Sequence, residues 1–150
     1  MNVIDRLLGR VEKQTPTVQE QMDAALSAAR QDDYAAALAI WGPLAQQGVA
    51  RAQNNVGACF SGGLGVERDA GLAVKWLSLA AAAGDPVGQR NLATAYFKGE
   101  GVEEDALRAA GLYRQAAESG DGTAQDMLSW MLLAGDIIPV DHDEAVRWAR

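Results

Sequence analysis

The chain has few of the residues on which covalent and metal chemistry depends. Its 150 residues include one cysteine, Cys59, and one histidine, His142. A lone cysteine excludes a disulfide within the chain and agrees with a reducing compartment. Zinc sites draw their ligands from several Cys and His residues, so we expect His142 to be a solvated residue at a helix start and Cys59 a small buried one. The sequence therefore predicts no catalytic residue, no metal and no cofactor.

Positive charge and long apolar runs are also scarce. Lys and Arg number 13 against 20 Asp and Glu, a net charge of −7, whereas proteins bind nucleic acid through clustered Lys and Arg. No run approaches the roughly 18 apolar residues of a membrane-spanning helix. A basic leader followed by an apolar core, the mark of a secretory signal, is not seen. We expect a cytoplasmic protein, with an exported mature form left open, and an acidic surface that serves solubility or a basic protein partner.

The strongest positive feature is self-similarity at a step of 36 residues. Four aspartates keep this step, and so do three glycines, three glutamines, a second set of three glycines and four alanines. A fixed period of this size indicates a stacked repeat array, in which each unit leans on its neighbours. The positions are Asp33, Asp69, Asp105 and Asp141; Gly48, Gly84 and Gly120; Gln53, Gln89 and Gln125; Gly63, Gly99 and Gly135; and Ala37, Ala73, Ala109 and Ala145.

The unit over residues 85–120 predicts a pair of helices. Pro86 suits a first helical turn, apolar residues then follow one helical face, and Gly99 ends this first helix. Asp105 is placed as the N-cap of a second helix that runs to Gly120. The same pattern predicts first helices over 50–61 and 122–134 and a second helix over 69–83. The fold class is therefore all-α, a solenoid of antiparallel helix pairs, with a lead-in helix over 33–48 and units over about 49–84, 85–120 and 121–150.

Both ends of the chain differ from the regular units. Residues 1–32 comprise an amphipathic segment over 2–12 and a capping helix over 17–31. We expect the segment to fold over the first unit as a cap; a self-association helix or a tether on a partner are the alternatives. At the other end a helix restarts at Asp141, with Glu144 at capping-box spacing, and stops at Arg150. Either the array continues in a longer protein or a partner covers this edge.

Particular residues recur in the repeat: the first copy reads Ala52-Gln53, Val56-Gly57, Phe60, Gly63, Gly65-Val66, Asp69, Ala73, Trp76, Ala80-Ala81 and Gly84. The pattern is similar to the Sel-one-like repeat (SLR), a relative of the tetratricopeptide repeat, and it covers about residues 33–150. The resemblance implies a right-handed α/α superhelix that scaffolds protein complexes, and it does not imply a catalytic activity. Ala93 and Ser129 depart from it, since the family has Gly there, and the loop Gly135-Asp136-Ile137-Ile138-Pro139 lacks a second glycine.

The resemblance also implies where a partner would bind. First helices would line a concave face, and Trp130 is the most specific candidate on it. Trp130 would either anchor a partner side chain or fill space against the last unit. Trp41, Trp76 and Trp148 are expected in the core. We expect a protein or peptide partner, and the alternative is a structural module that self-associates through residues 2–12 or the C-terminal edge. The candidates are Arg51, Asn54 and Ala58; Arg90, Thr94, Phe97 and Lys98; and Thr123, Asp126, Trp130 and Leu133.

Overall fold

The computed structural model describes residues 2–9, 14–135 and 142–149, and these ranges are helical with short connections. The all-α prediction is confirmed, and the predicted helix 122–134 begins and ends at those residues. Asp141, the loop 136–140 and the His142 side chain, on which three expectations rested, lie outside the described residues. The helices are α1 (Val3–Leu7), α2 (Val18–Arg30), α3 (Tyr34–Gln46), α4 (Ala50–Gly62), α5 (Ala70–Ala82), α6 (Pro86–Lys98), α7 (Ala106–Glu118), α8 (Gly122–Ala134) and α9 (His142–Trp148).

Three of the aspartates that recur every 36 residues begin second helices. The carboxylates of Asp33, Asp69 and Asp105 accept hydrogen bonds from the backbone N–H groups three residues on, at 3.0–3.1 Å. Each satisfies a helical donor that has no partner within the helix, which stabilises a helix by about 1 kcal/mol. The predicted capping role of Asp105 is confirmed. Asp85 and Asp121 cap the first helices α6 and α8 in the same way.

Glycines end the first helices and bring the chain close to the preceding pair. Gly63 and Gly99 have φ angles of 66° and 68°, the left-handed conformation that glycine adopts without strain. Gly65 and Gly101 follow, also at positive φ. A Cβ atom at Gly65 would lie 2.8 Å from the carbonyl carbon of Tyr34, and one at Gly101 would overlap the carbonyl of Ala70. The turn after each of these first helices therefore packs against the start of the preceding second helix.

The recurrent glutamines join one pair to the next. The side-chain amides of Gln53, Gln89 and Gln125 donate to backbone carbonyls eight residues earlier, those of Ala45, Ala81 and Ala117, at 3.2–3.4 Å. Each carbonyl lies in the last turn of a second helix and also accepts from the backbone N–H of the glycine that follows the helix, Gly48, Gly84 or Gly120. Helices that follow one another from α2 to α9 are in contact, and α4 also contacts α6. The result is a layered array in which a repeated polar contact fixes each junction.

The core confirms the predicted tryptophan positions and explains one departure from the repeat pattern. Trp41 and Trp148 are buried, and Trp76 is partly buried against the cluster around Trp41. At Gly57 a Cβ atom would lie 3.1 Å from the carbonyl oxygen of Ala73. Ser129, the equivalent residue two units later, donates its hydroxyl to the carbonyl of Ala145 at 3.3 Å. A side chain at this position is therefore accommodated where it bonds to the facing backbone.

The N-terminal segment does not pack as the expected cap. The side chains of Val3, Ile4, Leu7 and Leu8 are 60–80% exposed. Five helical residues offer little more than one turn of apolar surface. The capping helix α2, in contrast, contacts α3 and buries Ala25 completely. The prediction of a cap over residues 2–12 is therefore wrong for the described residues 2–9, and α2 covers the first end of the array.

Candidate functional site: the first-helix face

The first helices α4, α6 and α8 are joined by side-chain contacts between neighbours. Asn91 Nδ2 donates to Asn54 Oδ1 at 2.9 Å across α4 and α6, and the rings of Phe97 and Trp130 meet across α6 and α8. We call the surface that these three helices share the first-helix face. The predicted binding residues all lie on these helices.

The predicted residues differ in exposure along the array. All four candidates on α8 are exposed, and Trp130 and Leu133 have 51% and 56% of their area accessible. On α6, Lys98 is exposed and the other candidates are half-buried; on α4, Arg51 is exposed and Ala58 is half-buried. The remaining members are Thr123 and Asp126 on α8 and Arg90, Thr94 and Phe97 on α6. The face is therefore most accessible at α8.

The placement of Asn54 on the exposed surface is wrong. Asn54 is 3% exposed, because its amide lies between α4 and α6 and bonds to Asn91 and Asn55. Consecutive helical residues point about 100° apart, so a phase error of one position moves a side chain from the surface into a helix junction. Asn55 and Asn91, which are half-buried and one repeat apart, were not among the residues predicted for this face. Their recurrence at the 36-residue step was the available signal.

The two candidate arginines are held by the array itself. Arg51 Nε and Nη2 donate to the carboxylate of Asp85 at 2.8–3.1 Å, and Arg90 Nε donates to Asp121 at 3.1 Å. Each aspartate is the N-cap of the next first helix. The Asp85 side chain is 7% exposed, so loss of Arg51 would leave a buried carboxylate without its ion-pair partner. These arginines join neighbouring units.

Removing the Asp85 carboxylate is expected to destabilise the array more than removing an exposed cap. Asp85→Ala loses the cap and leaves Arg51 without its partner, so the free energy of unfolding should fall by about 2 kcal/mol. Asp69→Ala, which removes an exposed cap, should cost about 1 kcal/mol. Urea unfolding measures both, with Asp85→Asn as the variant that keeps a capping oxygen. Equal losses for Asp85→Ala and Asp69→Ala would contradict the joining role.

An apolar ledge lies across α6 and α8. The ring centroids of Phe97 and Trp130 are 5.9 Å apart at 83°, an edge-to-face contact that stabilises aromatic pairs. Leu133 lies about one helical turn beyond Trp130 and is more than half exposed. We call Phe97, Trp130 and Leu133 the apolar ledge. Trp130 thus contacts a neighbour on one side and keeps half of its surface free.

A pocket of about 240 Å³ lies at the equivalent place between α4 and α6. Ser61 and Thr94 line it, and these are the repeat equivalents of Phe97 and Trp130. Small side chains therefore leave a gap between α4 and α6, whereas two aromatic rings fill the equivalent gap between α6 and α8. The other lining residues are Ala58, Gly62, Leu77, Asn91, Ala95 and Glu100.

Two buried titratable groups stay in their neutral forms. Burial raises the pKa of the Tyr113 hydroxyl, and the hydrogen bond to Thr94 and the charge of Arg90 oppose that rise. The Tyr113 and Thr94 hydroxyls are 2.7 Å apart, which fixes the Thr94 side chain. Burial also raises the pKa of the Cys59 thiol, so the prediction of a small buried cysteine is confirmed. Neither group is set up as a nucleophile.

Metal-binding clusters and membrane-spanning helices are both absent from the described residues. No group of three or more His, Cys, Asp or Glu side chains within residues 2–9, 14–135 and 142–149 could hold a metal ion. No helix within these ranges is both long enough and apolar enough to cross a bilayer.

Solved structures with the same architecture identify the fold. A Sel1 repeat protein from Oxalobacter formigenes is 28% identical with a TM-score of 0.78, over 85% of this chain and 52% of that protein. A protective antigen of uropathogenic Escherichia coli strains, which displays an SLR fold, is 31% identical with a TM-score of 0.74, over 88% of this chain and 29% of the antigen. Both likenesses confirm the right-handed α/α superhelix. The chain spans about half of the first relative and under a third of the second.

The family is shown by the repeats themselves. No curated protein matches the chain significantly. The family model for the Sel1 repeat matches three successive stretches, residues 50–85, 86–121 and 122–150. Each match contains one first helix and the second helix that packs on it. The chain belongs to the Sel1 repeat family.

Proposed function

We propose that the chain is a non-catalytic adaptor that binds a protein or peptide on its first-helix face. Sel1 repeats generally mediate protein–protein interactions. The observation that carries the proposal is the apolar ledge, where Trp130 and Leu133 are 51% and 56% exposed on the same face of α8. Solenoid proteins use such extended inner surfaces for binding.

The ledge has the features of a binding anchor. Tryptophan is enriched among the residues that contribute most to interfaces, because it buries a large area with little loss of conformational freedom. Phe97 contacts the Trp130 ring, so the ring is already positioned before a partner arrives. A preorganised anchor lowers the entropy cost of binding. The net charge of −7 favours a basic partner.

A selected peptide tests the ledge. Random peptides displayed on phage are enriched on the wild-type protein, and the dissociation constant of an enriched peptide is then measured. Trp130→Ala is expected to weaken binding by about tenfold or more, since an anchor residue contributes about 2 kcal/mol. Leu107→Ala is the matched control, because Leu107 is 67% exposed on the second helix α7. Equal affinity for wild type and Trp130→Ala, or loss with Leu107→Ala alone, would remove the ledge from the proposal.

Self-association is the second candidate function, and the exposed side of α1 favours it. Four apolar residues within residues 3–8 are 60–80% exposed, and Val146 on α9 is 61% exposed. A self-associating module would form a dimer that sediments as one species and becomes a monomer in Leu7→Asp. A wild-type chain that sediments as a monomer at about 100 μM would exclude this candidate at concentrations relevant to stable dimers.

A further inference from the structure

We propose that the pocket between α4 and α6 receives a lysine or arginine side chain of the bound partner. The inference rests on the proposed function, since it names the chemistry of a segment on the first-helix face. It adds a second contact point beside the apolar ledge, on the other side of α6.

The shape of the pocket fits one long side chain. Its volume is about 240 Å³, and Ala58, Leu77 and Ala95 provide apolar surface within it. Leu77 is 3% exposed and forms part of the core. Lysine and arginine carry an aliphatic stem that packs on apolar surface while the charged head stays in a polar environment. A short polar side chain would leave this apolar part uncovered.

The polar groups of the pocket suit a donor with positive charge. Asn91 donates its amide hydrogen to Asn54, which leaves its own side-chain carbonyl oxygen as an acceptor. Glu100 lines the pocket, and its carboxylate makes no ion pair with any described residue. Lysine and arginine heads are donors only, so they match acceptors of this kind.

The helix ends add to the negative potential. The pocket lies at the C-terminal ends of α4 and α6, where the helix dipole favours a cation. Arg68 Nε donates to the carbonyl of Ser61 and so offsets part of this potential at α4. Lys98, in the last turn of α6, is exposed and is not among the residues that line the pocket. Glu100 remains the one carboxylate that lines the pocket, so it is the expected partner of the incoming charge.

Geometry sets the spacing between the two contact points. Packed helices lie about 8–10 Å apart, and an extended peptide rises about 3.3 Å per residue. The pocket and the ledge occupy successive junctions on either side of α6. A partner segment that crosses α6 would therefore place a basic residue about three positions from an aromatic or aliphatic one.

Blocked amino acids test the pocket without a known partner. Nα-acetyl-lysine N-methylamide and its arginine counterpart are titrated into the ¹⁵N-labelled protein, and amide shifts are followed by NMR. Shifts are expected at Asn91, Thr94 and Glu100. The Nε-acetylated lysine probe keeps the stem without the charge and should bind about fivefold more weakly. Glu100→Gln should weaken the lysine probe by a similar factor, and Glu103→Gln, an exposed carboxylate in the same loop, should not.

The outcomes separate this inference from the proposed function. Shifts absent from the pocket for both basic probes, or unchanged binding in Glu100→Gln, would overturn it. Peptides selected on the wild-type protein should carry Lys or Arg about three positions from an apolar residue. Selected peptides that depend on Trp130 and show no basic preference would overturn the pocket assignment alone, whereas the proposed function would stand.

Discussion

Gly101→Ala is expected to lower the free energy of unfolding by about 3 kcal/mol. Gly101 has a φ of 75°, a conformation that costs an alanine about 1 kcal/mol or more. The added Cβ would also overlap the carbonyl of Ala70 and lie 3.0 Å from the backbone nitrogen of Gly71. The neighbour is backbone, so it yields only if the turn separates from the start of α5.

Urea unfolding of Gly101→Ala and Gly111→Ala measures this effect. Gly111 lies inside α7, and an added Cβ there would meet nothing within 4 Å, so alanine removes only the helical cost of glycine. Gly111→Ala should therefore be neutral or more stable by up to about 1 kcal/mol. If both variants unfold at the same urea concentration, the turn after α6 does not pack against α5 as described.

Leu128→Ala is expected to cost a similar amount, about 3 kcal/mol. Leu128 is completely buried in the cluster that contains Tyr113, Met131 and Trp148. Removing its branched end leaves a cavity between α8 and its neighbours, and buried Leu→Ala changes cost about 2–5 kcal/mol. The loss should appear in the midpoint of thermal unfolding as well as in urea.

Leu133→Ala is the matched control because it makes the same chemical change on the same helix. Leu133 is 56% exposed on the apolar ledge, so its loss should change stability by less than about 0.5 kcal/mol. The same variant should weaken the binding of a selected peptide. A stability loss as large as that of Leu128→Ala would mean that the ledge belongs to the core, which would contradict the proposed binding role.

Local chemistry made the helices and turns predictable. Pro86, Gly99 and Asp105 each act within a few residues, through a fixed φ, a positive φ and a capping oxygen. Their positions alone indicate where α6 ends and α7 begins. The period of 36 residues then extends the same interpretation to the other units.

Contacts between units could not be predicted from the local sequence in the same way. Arg51 and Asp85 are 34 residues apart, outside the 36-residue step, and nothing in the local sequence pairs them. The recurrence of Gln125 was visible, but its acceptor, the carbonyl of Ala117, is a backbone atom that any residue would supply. The burial of Asn54 depends on the angle at which α6 packs against α4. These features arise from packing between units.

The exposure of the candidate residues was predictable where a first helix is open to solvent. All the α8 candidates are exposed, because the face of α8 away from α6 meets no further first helix among the described residues. On α4 and α6 the neighbouring helix covers part of the same face. Side-chain size accounts for the difference between the two junctions of the face. Ser61 and Thr94 leave a pocket between α4 and α6, and Phe97 and Trp130 fill the equivalent space between α6 and α8.

Mapping a selected peptide on the protein by NMR shows whether binding takes place on the first-helix face. Amide shifts of the ¹⁵N-labelled wild-type chain are recorded with and without a peptide enriched by display. Binding on this face predicts the largest shifts on α6 and α8 around Phe97 and Trp130, with little change around Leu79 and Leu107, which are exposed on α5 and α7. Shifts concentrated on α5 and α7, or on α1, would contradict binding on the first-helix face.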